Sequence, residues 1–232
     1  MRKMNVLGIP LRDYTLRETL KKVDIFLAGG KMGTIGLITM KGLIVAQDSL
    51  EIKEWISGLD MTVTADADIL RAADINYRGR IHDVENQLFI SEFLKKLVRQ
   101  KKTVYLMSQN AASLEKLEKE LLSYEENLSI VGKVAVDELE QDDDFVINDM
   151  NMKVPDVLIS NLESPKREQF TKENQMKMNV RLWLMVRADR ELYTQEKNSF
   201  KQIYNKFLQW WFRIRLNRYE EQQNMEQGNH KK

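Results

Sequence analysis

The chain has 232 residues, of which 43% are hydrophobic and 31% are charged, and its formal net charge at pH 7 is +1. This length and composition suffice for one well-packed domain, and the nearly balanced charge argues against a nucleic-acid-binding protein. Because the chain contains no cysteine, disulfides, thiolate metal sites and cysteine nucleophiles are excluded. No apolar run approaches the roughly 20 residues of a membrane-spanning helix, so we expect any membrane contact to be peripheral.

Short β-type segments alternate with helical patterns along the chain. An extended stretch at residues 5–11 is followed by a capping box, Thr15 with Glu18, and by a helix that ends at Gly29. The predicted strands that follow are residues 34–40, 61–65, 103–107, 128–131, 157–160 and 180–186. The predicted helices are residues 43–59, 69–74, 84–100, 113–124, 167–174 and 200–219.

This alternation predicts an α/β fold with a Rossmann-like, mostly parallel sheet that carries helices on both faces. We expect that domain to cover residues 1–195 and a C-terminal helical appendage to cover residues 196–232. Ligands of open α/β sheets bind at the carboxyl ends of the strands. Candidate site residues therefore follow the predicted strands, and we expect four of them to lie along one edge: Thr39, Asp66, Ser108 and Ser164.

The segment Asp66-Ala67-Asp68 follows one predicted strand and opens a helix. Two carboxylates there could act as a general base or hold a divalent metal with a nucleotide-sugar diphosphate. The structural alternative is that Asp66 is a helix N-cap and that Asp68 complements the helix dipole. The pattern itself does not decide between these interpretations.

A second candidate is the segment 164–168, Ser-Pro-Lys-Arg-Glu, which follows another predicted strand. A helix N-terminus with the cations Lys166 and Arg167 suits a diphosphate. The same sequence is equally consistent with an ordinary helix start. By contrast, the acidic run 137–144 is predicted to be a solvated loop, and with only His82 and His230 in the chain we expect no transition-metal site.

The strongest local pattern is the C-terminal helix. Its apolar stripe has helical spacing, and residues 197–219 contain six basic residues and no acid. Aromatic and basic side chains together are typical of a helix at the headgroup boundary of an anionic membrane. The predicted membrane-binding residues are Lys201, Lys206, Trp210, Trp211, Phe212 and Arg215. Packing of the stripe on the helix's own domain, or in an oligomer interface, explains it equally well.

Taken in order, these segments resemble the WecG/TagA/CpsF glycosyltransferases, a family of N-acetylmannosaminyltransferases. The resemblance covers residues 4–219, and its parts include 5–10 (Asn-Val-Leu-Gly-Ile-Pro), 39–48 after the second predicted strand, 63–66 (Val-Thr-Ala-Asp), 80–81 (Arg-Ile), 164–168 and 209–213 (Gln-Trp-Trp-Phe-Arg). The ordered set carries the resemblance more than any single segment.

The resemblance implies metal-independent, inverting transfer of a hexose of the N-acetylmannosamine type from a UDP-sugar to a polyprenyl-diphosphate-linked acceptor, in the synthesis of a bacterial surface polymer. It implies that Asp66 is the general base, that Thr39 lines the sugar pocket and that Arg80 faces the phosphates. The substrate-binding set is completed by Lys41, Lys166, Arg167, Arg213 and Arg218. No cofactor is expected. The implied location is the cytoplasmic face of the cell membrane, and a homo-oligomer or a complex with another glycosyltransferase stays open.

The sequence departs from the family pattern at several positions. Lys41 and Arg167 replace family amides, Ala67 replaces a glycine, and family glycines are missing at three further strand ends. Since glycine lets backbone approach a diphosphate closely, these changes indicate an altered donor site or the absence of one. Two hypotheses follow: a membrane-associated glycosyltransferase, which we favour, or a catalytically inactive relative that binds a partner enzyme or the lipid substrate.

Overall fold

The structure is a computed structural model, and it describes residues 2–138, 143–186, 209–219 and 221. The strands in these ranges are β1 (Arg2–Val6), β2 (Ile9–Asp13), β3 (Gly33–Ile38), β4 (Met61–Thr64), β5 (Thr103–Ser108), β6 (Ser129–Ala135), β7 (Val157–Ser160) and β8 (Leu182–Met185). The helices are α1 (Leu16–Ala28), α2 (Met40–Gln47), α3 (Leu50–Gly58), α4 (Ala67–Ala72), α5 (Arg78–Glu85), α6 (Leu88–Arg99), α7 (Ala111–Tyr124), α8 (Asp143–Lys153), α9 (Lys166–Asn174) and α10 (209–219).

Six strands form one sheet in the order β4-β3-β8-β7-β5-β6, and every neighbouring pair is parallel. Residues of one strand alternate between two cores. In β7, for example, Val157 and Ile159 pack with α1, α6 and α7, whereas Leu158 packs on the opposite face with α8 and α9. Helices therefore cover both faces of the sheet, and the predicted α/β fold is confirmed.

The first segment differs from the prediction. Instead of one extended stretch, residues 2–13 form an antiparallel hairpin, β1 with β2, in a separate two-stranded sheet. Its two-residue turn has φ of 55° at Leu7 and 78° at Gly8. Positive φ at both positions matches the twist of a tight hairpin. The turn is hard to read from sequence because leucine rarely adopts positive φ.

Two predicted helices are each divided. The first is interrupted between α2 and α3, where the side chain of Ser49 accepts a hydrogen bond from the N–H of Ile52 and starts a new helix. The second is interrupted between α5 and α6, where Gln87 adopts a left-handed conformation with φ of 51°. In both places the apolar spacing continues across the break, so periodicity alone predicts one helix.

The acidic run was predicted to be a loop, but part of it forms a helix. Asp143 and Asp144 lie in the first turn of α8, where acidic side chains are favoured by the helix dipole. Asp143 also accepts hydrogen bonds from Lys166 at 3.1 Å and from Asn174 at 2.9 Å. These bonds attach α8 to α9.

Helix α10 packs against the rest of the domain. Phe212 is only 2% exposed and belongs to a third core, called here the hairpin core, together with residues of β1, β2, α2, α3 and α4. Leu216 and Tyr219 pack at the margin of this core. The apolar stripe can be interpreted either as a membrane-binding face or as a face packed on protein. Packing on the helix's own domain accounts for the Phe212 face.

One aspartate joins three strands at the amino edge of the sheet, through its carboxylate and its backbone oxygen. Asp156, just before β7, accepts hydrogen bonds from the N–H of Thr103 at 3.1 Å and from Lys102 Nζ at 3.0 Å. Its backbone oxygen accepts from the N–H groups of Arg181 and Leu182, which open β8. Burial opposes ionisation of this carboxyl, but the bonds from Thr103 and the charge of Lys102 outweigh it and lower the pKa of Asp156 below its ordinary value.

A carboxyl group whose pKa is lowered on folding stabilises the folded state at pH values above its unfolded pKa of about 3.9. This stabilisation is lost as the pH falls further, through the folded-state pKa. We therefore expect Asp156→Asn to reduce the free energy of unfolding by a constant amount between about pH 5 and 7. Below about pH 4 the difference from the wild type should shrink. Urea denaturation at several pH values measures both. The exposed Glu126→Gln is the control, and a difference that persists unchanged below pH ~3 would contradict the assignment.

The packing of α10 predicts that the helix contributes to stability. Phe212→Ala should lower the free energy of unfolding by about 3–5 kcal/mol, because it leaves a cavity in the hairpin core. Trp210→Ala, in the same helix but at a side chain that is 56% exposed, should change it by only about 0.5 kcal/mol. Urea denaturation of the full chain compares the two. Equal, small effects would mean that α10 is not part of the cooperative fold.

Candidate functional site

The candidate residues follow the carboxyl ends of parallel strands and therefore share one edge of the sheet. Asp66 follows β4, Thr39 follows β3 and Ser164 follows β7, while Ser108 ends β5. The strand between β3 and β7 in the sheet is β8. Residues 187–208, which follow β8 in the chain, lie outside the described residues.

Asp66 joins two elements at this edge. It occupies the N-cap position of α4, but its side chain makes no capping bond to that helix. Instead, Oδ2 accepts a hydrogen bond of 2.7 Å from the N–H of Met40, the first residue of α2. The neighbouring Thr39 caps α2, accepting from the N–H of Gly42 at 3.0 Å. A carboxylate at a helix N-terminus is favoured by both the free N–H and the helix dipole.

A matching contact closes the other end of the same strand pair. Asp60, just before β4, accepts hydrogen bonds from the N–H and hydroxyl of Thr34 in β3, at 2.9 and 3.0 Å. Asp60 thus joins β4 to β3 at the amino edge, whereas Asp66 joins the end of β4 to α2, which follows β3, at the carboxyl edge. Only Asp66 lies at the edge where ligands of such sheets bind.

The second carboxylate of the Asp66-Ala67-Asp68 segment has different partners. Asp68 accepts hydrogen bonds from Arg71 at 2.9 Å and from Gln209 in α10 at 2.8 Å. Within the described ranges, no three histidine or acidic side chains are grouped as metal ligands. The two carboxylates serve separate contacts here, one to α2 and one to α4 and α10.

A cleft of about 340 Å³ opens beside α2 and α9. Four predicted site residues line it: Thr39, Lys41, Ser164 and Arg167. Lys41 lies in the first turn of α2 and Arg167 in the first turn of α9. The cleft therefore combines two cations with two helix N-termini, and both features favour an anionic ligand. Lys166 does not line the cleft and instead bonds Asp143.

Arg167 is held in place by two neighbours. Its guanidinium lies 3.9 Å from the ring centre of Trp55 in α3, and it forms an ion pair with the buried Glu168. Stacking and pairing together restrict a side chain that is otherwise flexible. Sequence reasoning missed Trp55, since nothing in its local pattern places it beneath a residue 112 positions away.

Arg80 lies on the other side of the strand ends. It pairs with Asp13 at 2.9 Å, and the two side chains are only 12% and 10% exposed. Arg80 lines a second, smaller cavity together with Thr64 and Ala65, the two residues that precede Asp66. Leu37 lines both this cavity and the cleft. Asp66 itself lines neither space, and the structure does not bring Arg80 into the cleft.

Helix α10 approaches the same edge. Gln209 contacts Asp68, two residues beyond Asp66, and Arg215 pairs with Asp48 at 2.8 Å while lying over the Trp211 ring. The basic residues Arg213 and Arg218 are exposed.

Of the predicted membrane-binding residues, Phe212 is buried in the hairpin core, which corrects the expectation that its ring faces a membrane. Trp211 is partly buried and Trp210 is 56% exposed. Lys201 and Lys206 lie outside the described residues. In the part of the chain that the structure describes, no helix has the length and apolar character to span a bilayer.

Comparison with known proteins gives one clear match. No curated protein is similar enough in sequence to serve as a relative. The sequence model of the glycosyl transferase WecG/TagA/CpsF family, however, matches residues 4–219, which are most of the chain. The match includes the hairpin, all six strands of the parallel sheet and α10. The chain therefore belongs to the WecG/TagA/CpsF family of glycosyltransferases.

Proposed function

We propose that this protein transfers a hexose of the N-acetylmannosamine type from a UDP-sugar to a polyprenyl-diphosphate-linked acceptor, in the synthesis of a bacterial cell-surface polysaccharide or teichoic acid. The observation that carries the proposal is the position of Asp66. Its side chain lies at the ligand-binding edge of the sheet and accepts a hydrogen bond from the N–H of Met40, between the cleft-lining residues Thr39 and Lys41.

In the proposed reaction Asp66 acts as the general base, and UDP is the leaving group. The acceptor hydroxyl gives its proton to the Asp66 carboxylate as its oxygen attacks the anomeric carbon of the donor. The bond from that carbon to the UDP oxygen breaks, UDP leaves with the bonding electron pair, and the anomeric configuration inverts. In this scheme no metal is required, because cations of the protein neutralise the leaving diphosphate.

The cleft supports the donor half of the proposal. Lys41 and Arg167 supply positive charge, and the N-termini of α2 and α9 add their dipoles. Thr39 lines the same cleft, and its proposed role is to contact the transferred sugar. Arg167 is a fixed donor, since Trp55 and Glu168 hold its guanidinium. The fixed position of Arg167 supports the proposal that this residue, which replaces a family amide, still contacts the anionic ligand.

Helix α10 supports a location at the membrane. The exposed Trp210 and the basic residues Arg213 and Arg218 lie on a helix whose other face is anchored in the hairpin core. An aromatic ring beside basic residues suits the surface of an anionic membrane, where a lipid-linked acceptor is found. We propose that the protein is peripheral on the inner face of the cell membrane and that Arg213 and Arg218 approach the leaving diphosphate.

A second candidate function also has a specific observation in its favour. Thr39 and Asp66 both bond to the start of α2, so both residues have a structural role that needs no catalysis. The chain would then be an inactive family member that binds an active glycosyltransferase at the membrane. In that case it should neither bind UDP in calorimetry nor release UDP from a UDP-sugar.

Substitution of Asp66 tests the enzymatic proposal. Asp66→Asn keeps an oxygen that can accept from Met40 but removes the basicity, so UDP release with a lipid-linked acceptor should fall by about 10²–10⁴-fold. The free energy of unfolding should fall by no more than about 1 kcal/mol, because the amide oxygen still accepts from Met40 and only the charge at the N-terminus of α2 is lost.

Asp60→Asn is the matched control, since it alters the same strand pair at the opposite edge. This variant should keep the wild-type rate of UDP release while losing some stability. Wild-type activity in Asp66→Asn would contradict the mechanism. Strict dependence on a divalent cation would contradict it too and would favour a metal held by Asp66 and Asp68.

Substitution of Trp210 tests the membrane proposal without removing α10 from the fold. Trp210→Ala should weaken co-sedimentation with phosphatidylglycerol vesicles, and binding by the wild type should weaken as salt rises. Phe145→Ala is the control, because Phe145 is 50% exposed on α8, away from α10. Equal vesicle binding by the wild type and Trp210→Ala would mean that this helix does not contact the membrane.

A further inference from the structure

Helix α8 carries an exposed apolar surface near the β6 end of the sheet. Asn151 in the helix donates to the backbone oxygen of Lys177 at 2.9 Å and so fixes the following turn, which carries Met176, to the end of α8. Single exposed apolar side chains are ordinary, but a cluster of them indicates an interaction site. This cluster, called here the α8 surface, consists of four large apolar side chains that are each at least 50% exposed: Phe145, Met152, Val154 and Met176.

Val154 adopts a backbone conformation that valine rarely adopts. It directly follows α8, its φ is 46°, and its N–H donates to the backbone oxygen of Met150 at 3.2 Å. Helices commonly end on such a left-handed residue, but glycine or asparagine usually fills the position. Because the side chain of Val154 is 62% exposed, it adds little to the core. A contact outside the monomer explains an exposed valine at this position.

The exposed face of α8 has the pattern of a helix that packs against another helix. Phe145, Asn148 and Met152 are exposed and are spaced by three and four residues, so they form one stripe. The opposite face of the helix is buried in the domain. The 11 residues of α8 give about 16 Å of helix. Asn148 lies at the middle of the stripe, and a single polar residue in an apolar helix pair fixes the register of the two helices.

The charges at the two ends of α8 fit a second copy of the same surface. Asp143 and Asp144 lie in the first turn of the helix, and Lys153 lies in the last turn. When two such helices pack antiparallel across a two-fold axis, the acidic start of each lies beside the basic end of the other, and the helix dipoles are also opposed. In this alignment Phe145 of each copy faces the partner's Met152, since the two residues are equally far from the middle of the stripe.

The groove beside the stripe carries both signs of charge. It has a volume of about 840 Å³ and lies between α7, β6 and α8. Two ion pairs neutralise much of its wall: Lys133 with Glu118 and Lys153 with Asp149, each at 2.7 Å. An anionic membrane or a nucleic acid favours a surface that is positive throughout. A mixed surface matches instead a protein surface that is also mixed, as the partner copy's is.

We propose that the α8 surface is the interface of a homodimer in which two α8 helices pack antiparallel across a two-fold axis. The two stripes form the centre of the interface, and Val154 and Met176 extend it at both ends. Because β4 and β6 are opposite ends of the sheet and α10 packs near β4, dimerisation leaves α10 of each copy away from the interface. The inference does not depend on the proposed function, since no residue of α8 lines the cleft.

Sedimentation velocity of the full chain measures the dimer directly. The wild type should change from monomer to dimer with a dissociation constant in the micromolar range, as expected for a small interface. Met152→Lys should raise that constant at least about tenfold, because it buries a charge at the centre of the contact. Leu50→Lys is the control, since Leu50 is 72% exposed on α3, outside the α8 surface. This control should leave the dissociation constant unchanged.

Cysteine cross-linking tests the antiparallel arrangement. The chain has no cysteine of its own, so introduced thiols are the only ones present. A mixture of the Phe145→Cys and Met152→Cys proteins should oxidise to a mixed disulfide dimer, because these positions face each other across the axis. Each variant alone should cross-link much more slowly, since its two thiols lie on different turns, beyond the ~7 Å between Cα atoms that a disulfide allows.

Three results would overturn the inference. They are a wild type that stays monomeric at its highest soluble concentration, a dimer that Met152→Lys leaves intact, and faster cross-linking of the single variants than of their mixture. If Met152→Lys instead abolishes vesicle binding of a monomeric chain, the α8 surface contacts the membrane and the inference also fails. The vesicle comparison of Trp210→Ala with Phe145→Ala is made below the dissociation constant, so that every protein in it is a monomer.

Discussion

The hydrogen bond from the N–H of Met40 to the carboxylate of Asp66 determines how the site is built. It fixes the start of α2 to the end of β4, and so places the first turn of α2, with Thr39 and Lys41 at its cleft side, beside the carboxyl edge of the sheet. The bond is strong because the acceptor is charged and the donor is an unpaired N–H at a helix N-terminus. The same contact orients the carboxylate that the proposed reaction uses.

Parallel pairing of all six strands extends this arrangement across the sheet. Every connection returns to the same edge, so α9, with Arg167 at its N-terminus, faces the cleft from the far side of β8. The two cations that distinguish this chain from the family pattern, Lys41 and Arg167, therefore line one space. Because a guanidinium held by Trp55 and Glu168 loses little further freedom on binding, it can replace a family amide as an anion contact.

Helix α10 has one face packed on the domain and one exposed face. Its Phe212 face is part of the hairpin core, whereas Trp210 and the two exposed arginines lie outside that core. A helix fixed to the α/β domain would keep that domain at a set distance from any surface that the exposed side chains bind. Gln209 of this helix contacts Asp68, which lies two residues beyond Asp66 in the sequence. The proposed membrane contact and the candidate site would thus be connected through α10.

The sequence alone determined the α/β class, the six strands of a mostly parallel sheet and the candidate residues that follow them, since strand composition and alternation are local properties. Local patterns also predicted Thr15 as a cap and Asp66 as a strand-end carboxylate. Only the tertiary structure decided what these groups contact: Asp66 bonds α2 rather than its own helix, Phe212 packs inward, and Arg80 pairs with Asp13 instead of entering the cleft. Periodicity shows which face of a helix is apolar, but the partner of that face depends on contacts between residues far apart in the chain.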